Sequence, residues 1–323
     1  MKSNNGNFIF IDDKQVFSSI AYENRSGERR MGDALSFDFK AKFQLIGICE
    51  SIGPMANNGL PGAENGFNSF LQQFSLTQIH DDFNGNSVSL LGCIQLTNEN
   101  TSRKLNVFEG LVEELDAFVL DLLSRKLEKW HIPVVIGGGH NNSLPLIRWA
   151  NQEKLNFAVV NVDPHADTRK MDFRHSGNSF AYALKEKIVS HYHVLGLHEA
   201  YNNEFIRSFL KQNAIFHTFF EDYLFKKRNI SKDIGTIATS INDMPCGLEL
   251  DLDAIAYFPS SAKSPSGWTL NQMRQILFEL TTQVGKVSYL HLPEAAPTTI
   301  DEYRMCGKSI SYLVRDFIAN YRS

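Results

Sequence analysis

The sequence predicts an α/β protein built on a parallel sheet with helices on both faces. Short apolar runs alternate along it with amphipathic helical stretches, and the runs are continuous rather than alternately polar and apolar. Strands of that kind are buried on both sides, the condition of a parallel sheet covered by helices. A third observation concerns placement: acids and histidines gather just past the ends of these runs, where open sheets bind their ligands.

Residues 1–40 are polar and mixed in charge, and are expected to pack over the core as an N-terminal extension, with 41–323 as a single domain. The first apolar run, 43–48, enters a loop rich in Gly, Asn and Pro, SIGPMANNGLPGAENG (51–66). The stretch VFEGLVEELDAFVLDLLSRKLEKW (107–130) spaces its apolar residues three and four apart and reads as a helix. The remaining strands are expected at PVVIGGG (133–139), FAVVNV (157–162), HVLGL (193–197), LELDLD (248–253) and VSYLHL (287–292).

Composition narrows the function. The formal net charge is −4, so no basic field argues for nucleic acid or an anionic membrane surface. No segment approaches the roughly 20 apolar residues needed to span a bilayer. The N-terminus lacks the apolar core of a secretory signal, so a cytoplasmic location is expected. Cys49, Cys93, Cys246 and Cys306 show no paired spacing and read as free thiols.

Three strand ends carry the chemistry. In PVVIGGGHNN, three glycines permit a tight turn that presents His140, and Asn141 or Asn142 could cap the next helix. Neither GxGxxG nor a Walker motif is present, which argues against nucleotide binding. In VVNVDPHADTR, Asp163, His165 and Asp167 occupy alternate positions, so in an extended segment they point the same way. In LELDLD, Asp251 and Asp253 alternate likewise, with Glu249 deeper along the strand. Each motif alone has an ordinary explanation as a cap or a solvated acid. Together they put four carboxylates and two imidazoles on one sheet edge, a set that suits a bridged pair of divalent ions such as Mn2+ rather than a structural zinc site.

These motifs, GGxH, DxHxD and DxD in order, resemble those of the ureohydrolase superfamily of arginase, agmatinase and formimidoylglutamase. The similarity runs from about residue 44 to the C-terminus and includes NNGLPGAENG (57–66). It implies a three-layer α/β/α fold with a mainly parallel eight-stranded sheet, and a metal-dependent hydrolase of linear amidine or guanidine C–N bonds. It further implies one ion held by His140, Asp163, Asp167 and Asp251 and a second by Asp163, His165, Asp251 and Asp253, with Asp163 and Asp251 bridging. Glu294, in LPEAAP, matches the acid that grips the cationic head group. Asp167 is the expected proton acceptor and donor, and a homo-oligomer is common among such proteins.

Departures from the family pattern direct the choice of substrate. In HSGNSFAY (175–182), Phe180 stands where arginases have a histidine, and His175 is a candidate to replace it. Glu249 stands at the usual serine, and Ala256-Tyr257 at the usual DP. PSSAKSP (259–265) and the arginine of DTR are more like formimidoylglutamases. Arg169 and Arg174, with Ser176 and Asn178, are the expected partners of a dicarboxylate, a structural salt bridge being the alternative for either arginine, so the substrate expected is N-formimidoyl-L-glutamate. Urea-releasing hydrolysis of arginine, agmatine or a guanidino acid is the alternative; outside catalysis stands a metal-binding scaffold, and a single-metal deacetylase fits the two-ion set poorly. His191 and His193, like the other histidines, read as structural, and Trp268 as core packing.

Overall fold

The computed structural model describes residues 1–18, 20, 22–37, 40–81, 83–97, 105–153 and 155–321. Among these residues nine strands form one sheet: β1 (Phe8–Asp12), β2 (Phe43–Cys49), β3 (Val88–Leu96), β4 (Ile132–Ile136), β5 (Ala158–Val162), β6 (His191–Leu197), β7 (Phe216–Phe219), β8 (Pro245–Leu250) and β9 (Lys286–Leu292). Their order is β1-β3-β2-β4-β9-β8-β5-β6-β7. The eight from β2 to β9 are mutually parallel. The ninth is an addition to the expected eight: β1 runs antiparallel along β3, pairing Phe8 with Leu96 and Asp12 with Gly92. It covers what would otherwise be an open sheet edge.

The core lies on both faces, as the continuous apolar runs require. In β2, Phe43 and Leu45 join one hydrophobic cluster, while Ile46 and Ile48 join the other. One cluster packs under the helices Gly66–Ser75, Ile230–Ile241, Leu270–Gln283 and Ile300–Asn320. The other packs under Leu105–Lys126, Ser143–Ala150, Ser179–Lys185 and Glu204–Gln212. The molecule is thus a three-layer α/β/α sandwich. The long helix ends at Lys126, short of the 130 expected, with Arg125 and Lys126 in its last turn facing the carbonyl end of the helix dipole. All four cysteines are buried free thiols. Among the described residues no helix is long and apolar enough to cross a membrane.

The middle of the sheet positions the site. Strands β4, β9, β8 and β5 are neighbours, and their carboxyl ends lead directly into His140, Glu294, Asp251 and Asp163. After β4 the chain turns through Gly137 and Gly138, whose φ values of 84° and 72° favour glycine. That turn is tied to β9 on both sides: Gly137 N–H donates to the Leu292 carbonyl at 3.1 Å, and Glu294 N–H donates to the Gly138 carbonyl at 2.8 Å.

The edge strand is anchored by Phe8, fully buried and stacked on Phe118 with ring centroids 6.5 Å apart. Phe8→Ala is expected to lower the unfolding free energy by about 3 kcal/mol, read from the midpoint of urea denaturation. An unchanged midpoint would show that β1 adds nothing to stability.

Candidate metal centre

His140 opens a 3-10 turn, His140–Asn142, directly after the glycine turn. Its Nδ1 lies 3.1 Å from Asp163 Oδ2, 2.9 Å from Asp167 Oδ2 and 3.0 Å from Asp251 Oδ2. A ring nitrogen carries at most one hydrogen, so it cannot satisfy three carboxylates, and here it makes no well-directed hydrogen bond at all. Donor atoms bonded at about 2.1 Å to one ion and at right angles lie about 3 Å apart, which matches this cluster. A second cluster adjoins it: His165 Nδ1 is 3.5 Å from Asp163 Oδ1 and 3.4 Å from Asp253 Oδ2. The two oxygens of Asp163 therefore face different clusters. Donor atoms of His140, Asp163, Asp167 and Asp251 all lie within 4.8 Å of one another, as do those of Asp163, His165 and Asp253. Asp251 falls in the first of these groups, and its Oδ1 accepts the Asp253 N–H at 2.9 Å, as Asp163 Oδ1 accepts the His165 N–H at 2.6 Å.

The electrostatics fit divalent cations. Asp163, Asp167, Asp251 and Asp253 are all buried, and among the described residues none pairs with a lysine or arginine. Burial, and then the neighbouring acids, raise the Asp251 carboxyl well above its usual range and raise Asp167 as well. Burial opposes a charge on His140 and His165, but the surrounding acids outweigh it and push both imidazoles well up. Such a group of acids is costly to bury unless cations sit among them. Backbone strain marks the same place: Asp167 and Glu294 adopt left-handed φ values of 46° and 71°, each costing about 1–3 kcal/mol.

A cavity of about 270 Å³ opens onto the clusters, lined among others by Asn57, Asn58, Arg169, Ser176, Ser261 and Glu294. Burial, and then the Asp251 charge, push the Glu294 carboxyl up to about 8. Glu294 accepts the His140 N–H at 2.8 Å and the Ser261 hydroxyl, so it also holds the metal-side turn in place. Arg169 is exposed on the rim and has no ion-pair partner among the described residues.

Two expected substrate contacts are not met. The guanidinium of Arg174 is buried, with Nε donating to Asp116 at 2.8 Å, Nη1 to Asn178 at 2.7 Å and Nη2 to the Asn141 carbonyl at 2.9 Å. Asn178 accepts from Arg174 and from His175 N–H, and donates to the carbonyls of Lys170 and Phe173. Neither has a hydrogen-bonding group left for a ligand, and neither lines the cavity. Both instead brace the loop that carries Ser176.

His175 Nδ1 accepts the Gly177 N–H at 3.0 Å, and burial followed by the charges of Arg169 and Arg174 lowers its pKa to about 4. Phe180 is buried, packing edge-on against His140 at 5.3 Å and stacking on Tyr192 at 4.4 Å. Among the described residues no metal-capable cluster includes His191 or His193. Trp268 is buried against Phe220 and Tyr223. Sequence reasoning missed Ser261, the placement of Asn57 and Asn58 on the rim, and Tyr201, whose ring stacks on His165 at 5.3 Å.

A model of the arginase family matches residues 41–318. The formimidoylglutamase of Macrococcus caseolyticus is 24% identical over 269 residues, covering 82% of this chain and 79% of that protein. Among solved structures, formimidoylglutamase from Bacillus subtilis superposes with a TM-score of 0.76 at 17% identity, covering 94% of this chain and 95% of that one. Trypanosoma cruzi formiminoglutamase, solved with Mn2+, gives 0.69 at 19% identity, covering 91% and 100%. At these identities the structural likeness speaks for the fold.

Adding Mn2+ to the metal-free protein is expected to stabilise it by about 2.7 kcal/mol at a hundredfold excess over Kd, seen as a rise in Tm. Asp251→Ala should abolish that rise. Equal Mn2+ content in Asp251→Ala and wild type would falsify the assignment of the cluster.

Proposed function

The chain belongs to the arginase family, and from that membership we propose that it hydrolyses N-formimidoyl-L-glutamate to L-glutamate and formamide, with two Mn2+ ions bound. The observation that carries this reading is the meeting of His140 Nδ1 with three carboxylates beside a cavity whose rim bears Arg169, which has no ion-pair partner among the described residues. The formimidoylglutamase relatives and the apolar Phe180 support the choice of substrate.

One ion would be held by His140, Asp163, Asp167 and Asp251, the other by Asp163, His165, Asp251 and Asp253. Such a pair supplies water activated near neutral pH and charge to offset the buried acids. The chain's own groups do the rest. Arg169 binds a carboxylate of the glutamate part by charge-assisted hydrogen bonds, and Ser176 adds a hydroxyl beside it. Glu294 faces the amidinium head, and a cation beside it returns its carboxyl to the ionised form. Water adds to the imino carbon, Asp167 on the cavity wall takes its proton, and that proton passes to the departing nitrogen, which leaves as the amine of glutamate. The second nitrogen stays on carbon as formamide.

The test is an assay of Mn2+-loaded protein on formimidoylglutamate, arginine, agmatine and guanidinobutyrate. Formamide from the first and no urea from the others is the expected result; urea release without formamide overturns the substrate. Arg169→Ala is expected to raise KM for formimidoylglutamate about 10- to 100-fold, the worth of a charged hydrogen bond of about 1.5–3 kcal/mol. If KM stays put, Arg169 has no part in binding.

A further inference from the structure

One buried acid takes no part in that reaction. Glu249 lies on β8 two residues before Asp251, so both side chains point to the same side of the strand. It is fully buried, and among the described residues no lysine or arginine pairs with it. Two groups from neighbouring β9 hold it: the Tyr289 hydroxyl donates to Oε1 at 2.7 Å, and His291 Nδ1 lies 2.6 Å from Oε2. That arrangement aims Oε2 at the back of His140, whose Nε2 is 3.4 Å away and makes no hydrogen bond among the described residues.

The arrangement bears on a problem built into the centre. A neutral imidazole carries its hydrogen on either nitrogen. Three carboxylates surround Nδ1 of His140 and would each accept that hydrogen, drawing it to the nitrogen that must present a bare lone pair to an ion. Only a competing acceptor at Nε2 can draw it the other way, and Glu249 is the carboxylate in reach.

We propose that Glu249 is a positioning residue that fixes His140 in the Nε2–H form, with Tyr289 and His291 holding it in line. The inference rests on the reading of the centre as a divalent-ion site. It explains why a charged group is kept in a fully buried place: carboxylates behind ligating histidines orient the ring and raise its basicity. His140, Glu249 and His291 also present donor atoms within 4.8 Å of one another. The 2.6 Å between Glu249 and His291 is the length of a charge-assisted hydrogen bond, so a proton rather than an ion joins that pair.

Calorimetric titration of Mn2+ into metal-free protein, with ¹⁵N-histidine NMR on the same samples, tests the proposal. Wild type should take up two ions and show His140 protonated at Nε2. Glu249→Ala should weaken one ion about 10- to 100-fold and move the His140 hydrogen toward Nδ1, with metal-free Tm no lower. Glu249→Gln, which keeps an oxygen at that place, should recover most of the affinity. Tyr289→Phe, which leaves no large void, should cost about threefold to tenfold. Unchanged affinity and tautomer in Glu249→Ala and Tyr289→Phe, with a fall only in metal-free Tm, overturns the role and leaves the metal centre standing. Three ions in wild type overturn it as well. No uptake of Mn2+ by wild type brings down the reading of the centre and this role together.

Discussion

Four carboxylates buried within reach of one another, with no lysine or arginine among the described residues to neutralise them, are the constraint on which the rest of this structure depends. Asp163, Asp167, Asp251 and Asp253 are held together by the central strands whether or not they repel. Repulsion between buried acids is expensive, and the chain adds left-handed backbone at Asp167 and Glu294 to the cost. Such expense persists only where the surrounding fold over-determines it. Here the fold does so through short ladders on both sides of the glycine turn, which leave His140 and Glu294 little freedom.

Around that centre the polar residues divide by what else they must hold. Arg174 and Asn178 are spent on the loop beneath the cavity, and Glu50 likewise accepts from Gly139 N–H at 2.8 Å and from Asn142 at 2.8 Å. Arg169, five positions from Arg174, faces the open rim instead. Charge alone does not separate two such arginines; occupancy of their donors does. The rim is built from loops, whereas the acids hang from strand ends. A change of substrate therefore need not disturb the centre.

The acids were legible in the sequence because their signal is local. Alternate positions past an apolar run place Asp163, His165 and Asp167 on one side, and the strand-end rule brings three such runs to one edge. What was not legible depends on distant partners. Arg174 is structural because Asp116, 58 positions away, sits beneath it. Glu249 has meaning only beside Tyr289 and His291, 40 and 42 positions downstream. β1 escaped notice because five residues, FIFID, are too short to stand out from a polar stretch. β3 and β7 were missed too: Ser, Gly and Gln interrupt the first, and the second is four residues long.

The place of β9 has a consequence for how the chain comes off the ribosome. Among the described residues it is the last strand made, yet it lies between β4 and β8 and supplies the only ladder joining β1, β3, β2 and β4 to β8, β5, β6 and β7. His140 belongs to the first group, and Asp163 and Asp251 to the second. Pairings between segments so far apart in the chain form slowly. Until β9 emerges and inserts, a nascent chain carries the imidazole and its acids on two unjoined half-sheets, each with a bare inner edge. Assembly of His140 with its carboxylates is thus a late event of biosynthesis, and premature termination before residue 286 leaves two aggregation-prone edges.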